Sequence, residues 1–200
     1  VGNPISHSLS PELHNHWIKQ NGLDAIYGKK KLNNNELESL ISDVKHGYIN
    51  GLNVTVPFKN TVIPYLDELS DEAKKTQAVN TIYLKDKKVI GHNTDIEGFE
   101  NAIKKINFDF NNKKIFILGA GGVVPSIIYA SMKMGSSEII VSNRTKGKAE
   151  KIQNIFDNIK LIDWGEVPNF DVIINATSLG LKQKDKINLD FTNIGKNKLF

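Results

Sequence analysis

Three groups of residues in this chain have types and spacings that could do chemistry. The first is the stretch GLNVTVPFK at 51–59. Read as a strand, it sends Asn53 and Thr55 to one face and Val54 and Val56 to the other. The valines suit a packed core. Pro57 cannot donate to a sheet ladder, so the strand should end there. That leaves Lys59 just past the end, on the same parity as Asn53 and Thr55. Ligands of open α/β folds collect outside the carboxyl ends of strands, which makes a polar face leading to one amine a candidate site. Taken alone, the stretch reads first as an edge strand with a solvated face and a surface lysine.

Asn80 and Asp95 also lie where a strand meets a turn or helix, so three polar groups could converge. Asp95 has a second account. In GHNTDIEG (91–98) Thr94 and Glu97 are spaced as a capping box, and a carboxylate in the first turn complements the helix dipole. Ser10 precedes Pro11 at the start of a helical stretch and reads as its N-cap. Ser8 has no such local role. His14 and His16 are two apart, diverge around a helix and make a poor metal pair.

The third group is a glycine turn. KIFIL (114–118) is a continuous apolar run, typical of a strand buried on both faces of a parallel sheet. Gly119, Ala120, Gly121 and Gly122 follow at once. Such glycines allow a tight turn and close approach of backbone to a pyrophosphate resting on the next helix. The third glycine of the usual fingerprint falls at Val124, so the pattern is incomplete, and a tight turn without a ligand fits it too. The end of the next strand decides more. An NAD site places Asp or Glu about 20 residues past the glycines, but here stand Ser142, Asn143, Arg144 and Thr145. A guanidinium recognises phosphate bidentately, and Arg144 is the only arginine in the chain. The reading is NADP.

The elements that must position these groups follow from pattern. A strand end opens the chain at 1–4, a helix spans 10–20 and stops at Asn21-Gly22, and a short strand covers 25–31. Asn34 or Asn35 caps a helix with Leu37, Leu40, Ile41 and Val44 at i, i+3, i+4 and i+7, ending at Gly47. After the 51–59 strand come helical stretches at 60–68 and 70–76. A hairpin of 79–84 with 88–91 follows, then a helix from 94 to 106. Residues 107–112 (NFDFNN) read as a linker. Strand 114–118, a helix from 123 to 134 and strand 138–142 form a βαβ unit, with a right-handed crossover expected. A helix to 156, a strand near 159–162 and the buried strand in VIINATSLG (172–180) continue the winding. The last ends in a polar turn expected near the nicotinamide end, followed by a lysine-rich loop at 182–186.

Two hundred residues, 40% of them hydrophobic, allow one large domain or two small ones. The absence of cysteine excludes disulfides, thiolate metal sites and a cysteine nucleophile. No apolar run approaches the roughly 20 residues of a membrane helix, and no basic-then-apolar leader opens the chain. A cytoplasmic, soluble protein is the expectation. The net charge of +4 comes from scattered lysines rather than a basic stripe interleaved with aromatics. That pattern suits an enzyme gathering anionic substrates better than a nucleic-acid binder. The opening reads as a strand end without its strand, and a doubly wound domain should have further strands after Phe200. The sequence thus reads as truncated at both ends.

Seven stretches carry a family resemblance: GNPISHSLSP, NVTVPFK, AVNT, GHNTD, GAGG, NRT and NATSLG, in order from residue 2 to 180. Together they resemble shikimate dehydrogenase. The resemblance implies an N-terminal α/β substrate domain (1–106) followed by a Rossmann-like doubly wound parallel-sheet NADP domain (107–200). It implies reduction of 3-dehydroshikimate to shikimate with NADPH, in aromatic amino-acid biosynthesis. Lys59 and Asp95 match the catalytic pair. Ser8 and Ser10 match residues that hold the substrate carboxylate. Asn53, Thr55, Asn80 and Asp95 match those that bind ring hydroxyls and the carboxylate end. The implied cofactor residues are Gly119, Ala120, Gly121, Gly122, Val123, Asn143, Arg144, Thr145, Lys148, Thr177 and Ser178.

The implied mechanism passes hydride to the ketone carbon while the Lys59 ammonium stabilises and protonates the growing alkoxide, held in place by Asp95. It requires no metal. The implied partner is a small molecule, with a monomer or homodimer, no nucleic acid and no membrane. Three departures stand out. Gln77 replaces a glycine usual before AVNT, and Pro125 stands where many members carry a basic residue. The family's later tyrosine motif, substrate-binding glutamine and returning helices would lie beyond Phe200. Two rival expectations remain: a quinate/shikimate dehydrogenase of broader taste, often using NAD, which Arg144 argues against, and a ligand-sensing module, in which the lysine–aspartate pair would be lost.

Overall fold

The computed structural model describes residues 1–180, 185–192 and 194–200. The expected lysine-rich loop therefore falls largely outside the described residues. The chain divides into two compact units, Val1–Ala73 with Val79–His92, and Lys74–Ala78 with Asn93–Phe200. Sequence texture puts the break at 106/107; by contact, the helix that precedes it belongs with the second unit. Among the described residues, no helix is long and apolar enough to cross a membrane.

The first unit runs α1 (Ser10–Gln20), α2 (Leu37–Lys45), β1 (Gly51–Asn53), α3 (Phe58–Thr61) and β2 (Glu68–Leu69). Then come α4 (Asp71–Thr76), whose last turn falls in the second unit, β3 (Thr81–Lys85) and β4 (Lys88–His92). The sheet order is β1-β3-β4-β2. β3 pairs antiparallel with both β1 and β4, and β2 runs parallel to β4. The β3–β4 turn rests on Asp86 and Lys87 at φ 50° and 63°, the positive values a two-residue hairpin turn requires. Leu37, Leu40, Ile41 and Val44 of α2 are buried as their spacing predicts. They pack with Val54, Phe58, Val62, Ile82 and Val89.

Several local expectations are corrected here. The strand expected at 25–31 is reduced to one parallel bridge, Gly2 with Lys31. The Asn15 side chain takes both backbone groups of Tyr27, which a ladder would otherwise use. Helix α1 includes Ser10 rather than being capped by it, and Ser8 Oγ accepts the Ser10 N–H at 3.3 Å. The 51–59 strand ends at Asn53. Val56 is 56% exposed while Val54 is buried, because the alternation holds only while the ladder lasts.

The second unit contains α5 (Asp95–Lys105), β5 (Lys114–Leu118), α6 (Val124–Lys133) and β6 (Glu138–Ser142). It continues with α7 (Lys146–Gln153), β7 (Lys160–Ile162) and β8 (Val172–Asn175). Its sheet is wholly parallel in the order β7-β6-β5-β8. Ile115 and Ile117 of β5 join one core with Val124, Ile128, Val141 and Ile152. Phe116 and Leu118 join a second core with Ile140, Phe170 and Ile173. Both faces of β5 are therefore covered, which is why KIFIL shows no alternation.

Candidate active site

In the first unit the opening segment lies beside the 53–56 stretch. Thr55 N–H donates to the Val1 carbonyl and Asn3 N–H to the Val56 carbonyl, both at 2.9 Å. A side chain at Gly2 would strike the Thr55 methyl group, so only glycine lets the segments approach this closely. This contact brings the GNPISHSLSP and NVTVPFK motifs together. Ser8, Ser10, Asn53 and Thr55 line one cavity of about 180 Å³, with His7, Tyr27 and Lys29 also on its wall. Lys29 Nζ is held by the Ser6 carbonyl at 2.6 Å.

Lys59 stands in α3, not on a strand parity, and is buried at 9% exposure. Phe58 beside it, 1% exposed, anchors the turn in the core, and the Lys59 carbonyl accepts the Val79 N–H at 2.8 Å. The bland account of a surface lysine is thereby excluded. Asn80 immediately precedes β3, whose first residue, Thr81, pairs with Asn53. The Asn80 carbonyl accepts the Val54 N–H at 2.8 Å, its N–H donates to the His92 carbonyl at 3.0 Å, and its Oδ1 accepts the Thr81 hydroxyl at 3.0 Å.

Asp95 belongs to the second unit, in the first turn of α5. The side-chain acceptor at that helix start is Asn93, not the expected Thr94: Asn93 Oδ1 accepts the Asp95 N–H at 3.0 Å. Asn93 is 2% exposed. The sequence reading passed over it because an adjacent threonine fitted the capping pattern.

The expected cofactor residues gather at the carboxyl ends of β5, β6 and β8. Gly119 has φ 113°, and a Cβ there would stand 2.7 Å from the Ala176 carbonyl oxygen. Two independent constraints, handedness and the neighbouring turn, therefore demand glycine at this position. Among the described residues, the backbone N–H groups of Gly121, Gly122 and Val123 donate to no protein acceptor. They stand at the start of α6, a fitting cradle for a pyrophosphate. Val124, where the third glycine would fall, is fully buried between helix and sheet.

At the end of β6, Asn143 Nδ2 donates to the Thr145 carbonyl at 2.8 Å and shapes the loop. Arg144, Thr145 and Lys148 are exposed, and no acid lies between 142 and 149. Among the described residues Arg144 forms no ion pair. Asn143 and Lys146 line a cleft of about 380 Å³ with Leu161 and Ile162. At the end of β8, Asn175 Oδ1 accepts both the N–H and the hydroxyl of Thr177 at 3.0 and 2.6 Å. That turn leaves Ser178 exposed. Among the described residues, no group of three His, Cys, Asp or Glu could hold a metal.

A parallel sheet with its glycine turn where the strand order reverses between β5 and β8, and a cationic loop in place of an acid, defines a dinucleotide-binding α/β protein with an attached α/β unit. Comparison with known proteins makes this specific. Residues 1–82 match the family described as shikimate dehydrogenase substrate binding domain, and residues 100–184 the one described as shikimate / quinate 5-dehydrogenase. The chain is 53% identical over 200 residues to a shikimate dehydrogenase (NADP(+)) of Pelagibacter ubique, covering all of this chain and 76% of that protein. It is 40% identical over 187 residues to the one from Aquifex aeolicus, covering 92% and 69%. The crystal structure of the Aquifex aeolicus shikimate dehydrogenase superposes with a TM-score of 0.82 at 38% identity, covering 92% of this chain and 70% of that one. The chain belongs to the shikimate dehydrogenase family.

Proposed function

We propose that this protein reduces 3-dehydroshikimate to shikimate with NADPH, and catalyses the reverse oxidation. The observation that carries the reading is a buried lysine, Lys59, in the unit whose polar cavity is lined by Ser8, Ser10, Asn53 and Thr55. The serine hydroxyls donate to the substrate carboxylate, and Asn53, Thr55 and Asn80 recognise ring hydroxyls. NADPH, when bound, supplies the hydride that converts the ketone carbon to an alcohol carbon. The Lys59 ammonium stabilises the negative charge that builds on the ketone oxygen and gives it a proton. Burial strengthens that interaction, since a low effective dielectric enlarges the attraction between charges. Asp95 is the second member of the catalytic pair that the family resemblance implies.

Gly119, Ala120, Gly121, Gly122 and Val123 hold the pyrophosphate. Arg144, with Asn143, Thr145 and Lys148, holds the phosphate that distinguishes NADP from NAD, and Thr177 and Ser178 serve the nicotinamide end. The reading takes the protein to be cytoplasmic, and monomeric or homodimeric. A purely ligand-sensing role is disfavoured because Lys59 and Asp95 are both present.

The test is NADPH oxidation by the purified intact protein with 3-dehydroshikimate, set beside NADH and beside quinate in the reverse direction. Turnover confined to the shikimate pair with a strong NADP preference is expected. Absence of turnover, or equal use of quinate with NAD, defeats the proposal.

A further inference from the structure

We infer that Tyr27 is a positioning residue that fixes the side-chain amide of Asn53 and so helps set which hydroxyl pattern the cavity accepts. The inference rests on the proposed function above, in which that cavity takes a hydroxylated ring acid. Tyr27 lies in an irregular stretch without a strand ladder, and its neighbour Ile26 is 93% exposed. Its neighbours are exposed, yet this one residue is held by several contacts. Asn15 Nδ2 donates to the Tyr27 carbonyl, and Tyr27 N–H donates to Asn15 Oδ1, both at 2.9 Å. The His14 ring stacks on the Tyr27 ring at 4.2 Å with planes 6° apart, and Trp17 meets His14 edge-on at 5.4 Å. What the grip delivers is the phenol oxygen, 2.8 Å from Asn53 Oδ1 on the cavity wall.

The direction of donation is forced. Asn53 faces the Asn80 carbonyl at 3.4 Å and Thr81 Oγ1 at 3.2 Å with the same amide atom. A carbonyl can only accept, so that atom is Nδ2 and the one facing Tyr27 is the oxygen. Tyr27 must therefore donate. Burial raises the Tyr27 pKa above its ordinary value, which keeps the phenol a donor at working pH. Thr81 in turn gives its hydroxyl proton to Asn80 Oδ1 at 3.0 Å. A one-way chain of donors thus runs from Tyr27 through Asn53 and Thr81 to Asn80. Both asparagines then meet the ligand with defined donor and acceptor ends. Without the phenol proton, the Asn53 oxygen loses its partner and the amide loses its fixed orientation.

The test is Tyr27→Phe in the intact protein, alone and in an Asn53→Ala background, with steady-state kinetics for both substrates. One lost neutral hydrogen bond corresponds to roughly a three- to tenfold rise in KM for 3-dehydroshikimate. kcat and the KM for NADPH should stay within about twofold, whereas partial unfolding would lower apparent kcat and leave KM in place. In the Asn53→Ala background the same substitution should change KM less than about twofold, the signature of two residues acting as one unit. An equal penalty in both backgrounds, or no rise in KM, overturns the inference alone. An unmutated protein that does not turn over 3-dehydroshikimate overturns the proposed function, and the inference with it.

Discussion

Asn93 and Asp95 are joined by a hydrogen bond from the Asp95 N–H to Asn93 Oδ1, and the far end of the same amide is equally committed. Asn93 Nδ2 lies 2.9 Å from Ser126 Oγ, 3.0 Å from the Ala78 carbonyl and 3.1 Å from Thr76 Oγ1. One side chain thus ties the end of α4, the start of α5 and the start of α6, and presents Asp95 from a fixed helix end.

Replacing Asn93 by Ala should leave the buried Ala78 carbonyl without this donor and cost about 1–3 kcal/mol. Asn93→Asp should be worse, because it keeps the acceptor for Asp95 but turns a donor into a buried charge facing a carbonyl. Urea unfolding of the two variants measures both effects. An aspartate variant as stable as the unmutated protein near neutral pH would contradict the assigned orientation.

Gly119 and Gly121 should separate stability from cofactor binding. Gly119→Ala forces a Cβ against Ala176 at a left-handed φ and should cost about 2–4 kcal/mol. At Gly121 a Cβ would lie 4.0 Å from the Ala176 carbonyl oxygen, so Gly121→Ala should alter stability by less than about 0.5 kcal/mol. It should nonetheless weaken NADPH, because the methyl occupies the backbone's line of approach. Paired unfolding and cofactor titrations decide the matter; a stable Gly119→Ala protein would show that the turn tolerates a side chain.

Arg144→Ala should remove a charge-assisted phosphate contact worth roughly 1.5–3 kcal/mol, a loss of about 10- to 150-fold in NADPH affinity. NADH affinity should hardly move. Fluorescence titration with both cofactors is the measurement, and equal losses for the two would remove Arg144 from phosphate recognition.

Lys59→Ala should lower turnover by roughly 10²–10⁴-fold, the range for a positioned acid–base group, with NADPH binding nearly unchanged. Lys45 is a suitable control: it is half exposed and pairs with Asp67 at 2.9 Å. Lys45→Ala should cost at most about 1 kcal/mol and leave turnover alone. A Lys59 variant with full turnover ends the proposed mechanism.

What the sequence made legible was what leaves a local trace. KIFIL announced a strand covered on both faces, and Leu37 to Val44 a helix with one buried stripe. Lys59 was legible as a candidate but not as a buried residue, because parity along a strand says nothing once the ladder stops at Asn53. Val56 failed for the same reason. Asn15 and Tyr27 were missed because their bonds join residues 12 positions apart and leave no periodicity. The strand expected at 25–31 failed with them, since that side chain took the place of a ladder. Gln77 shows the reverse case: it departs in type from the glycine the resemblance leads one to expect, yet it stands at a left-handed φ of 50°, a conformation that favours glycine.

The pairing of β5 with β8 also sets a timetable. Lys114 N–H donates to Asp171 Oδ2 across 57 positions of chain, whereas β6 follows β5 after a single helix. Closing the longer loop costs more chain entropy before its contacts form, so this pairing comes late. On the ribosome, β5, α6 and β6 emerge first, and the Ala176 wall beside Gly119 arrives only once β8 is out. A nascent chain shorter than that has a glycine turn but no crevice. On the reading proposed above, capture of a cofactor at Gly119 waits until β8 has joined β5.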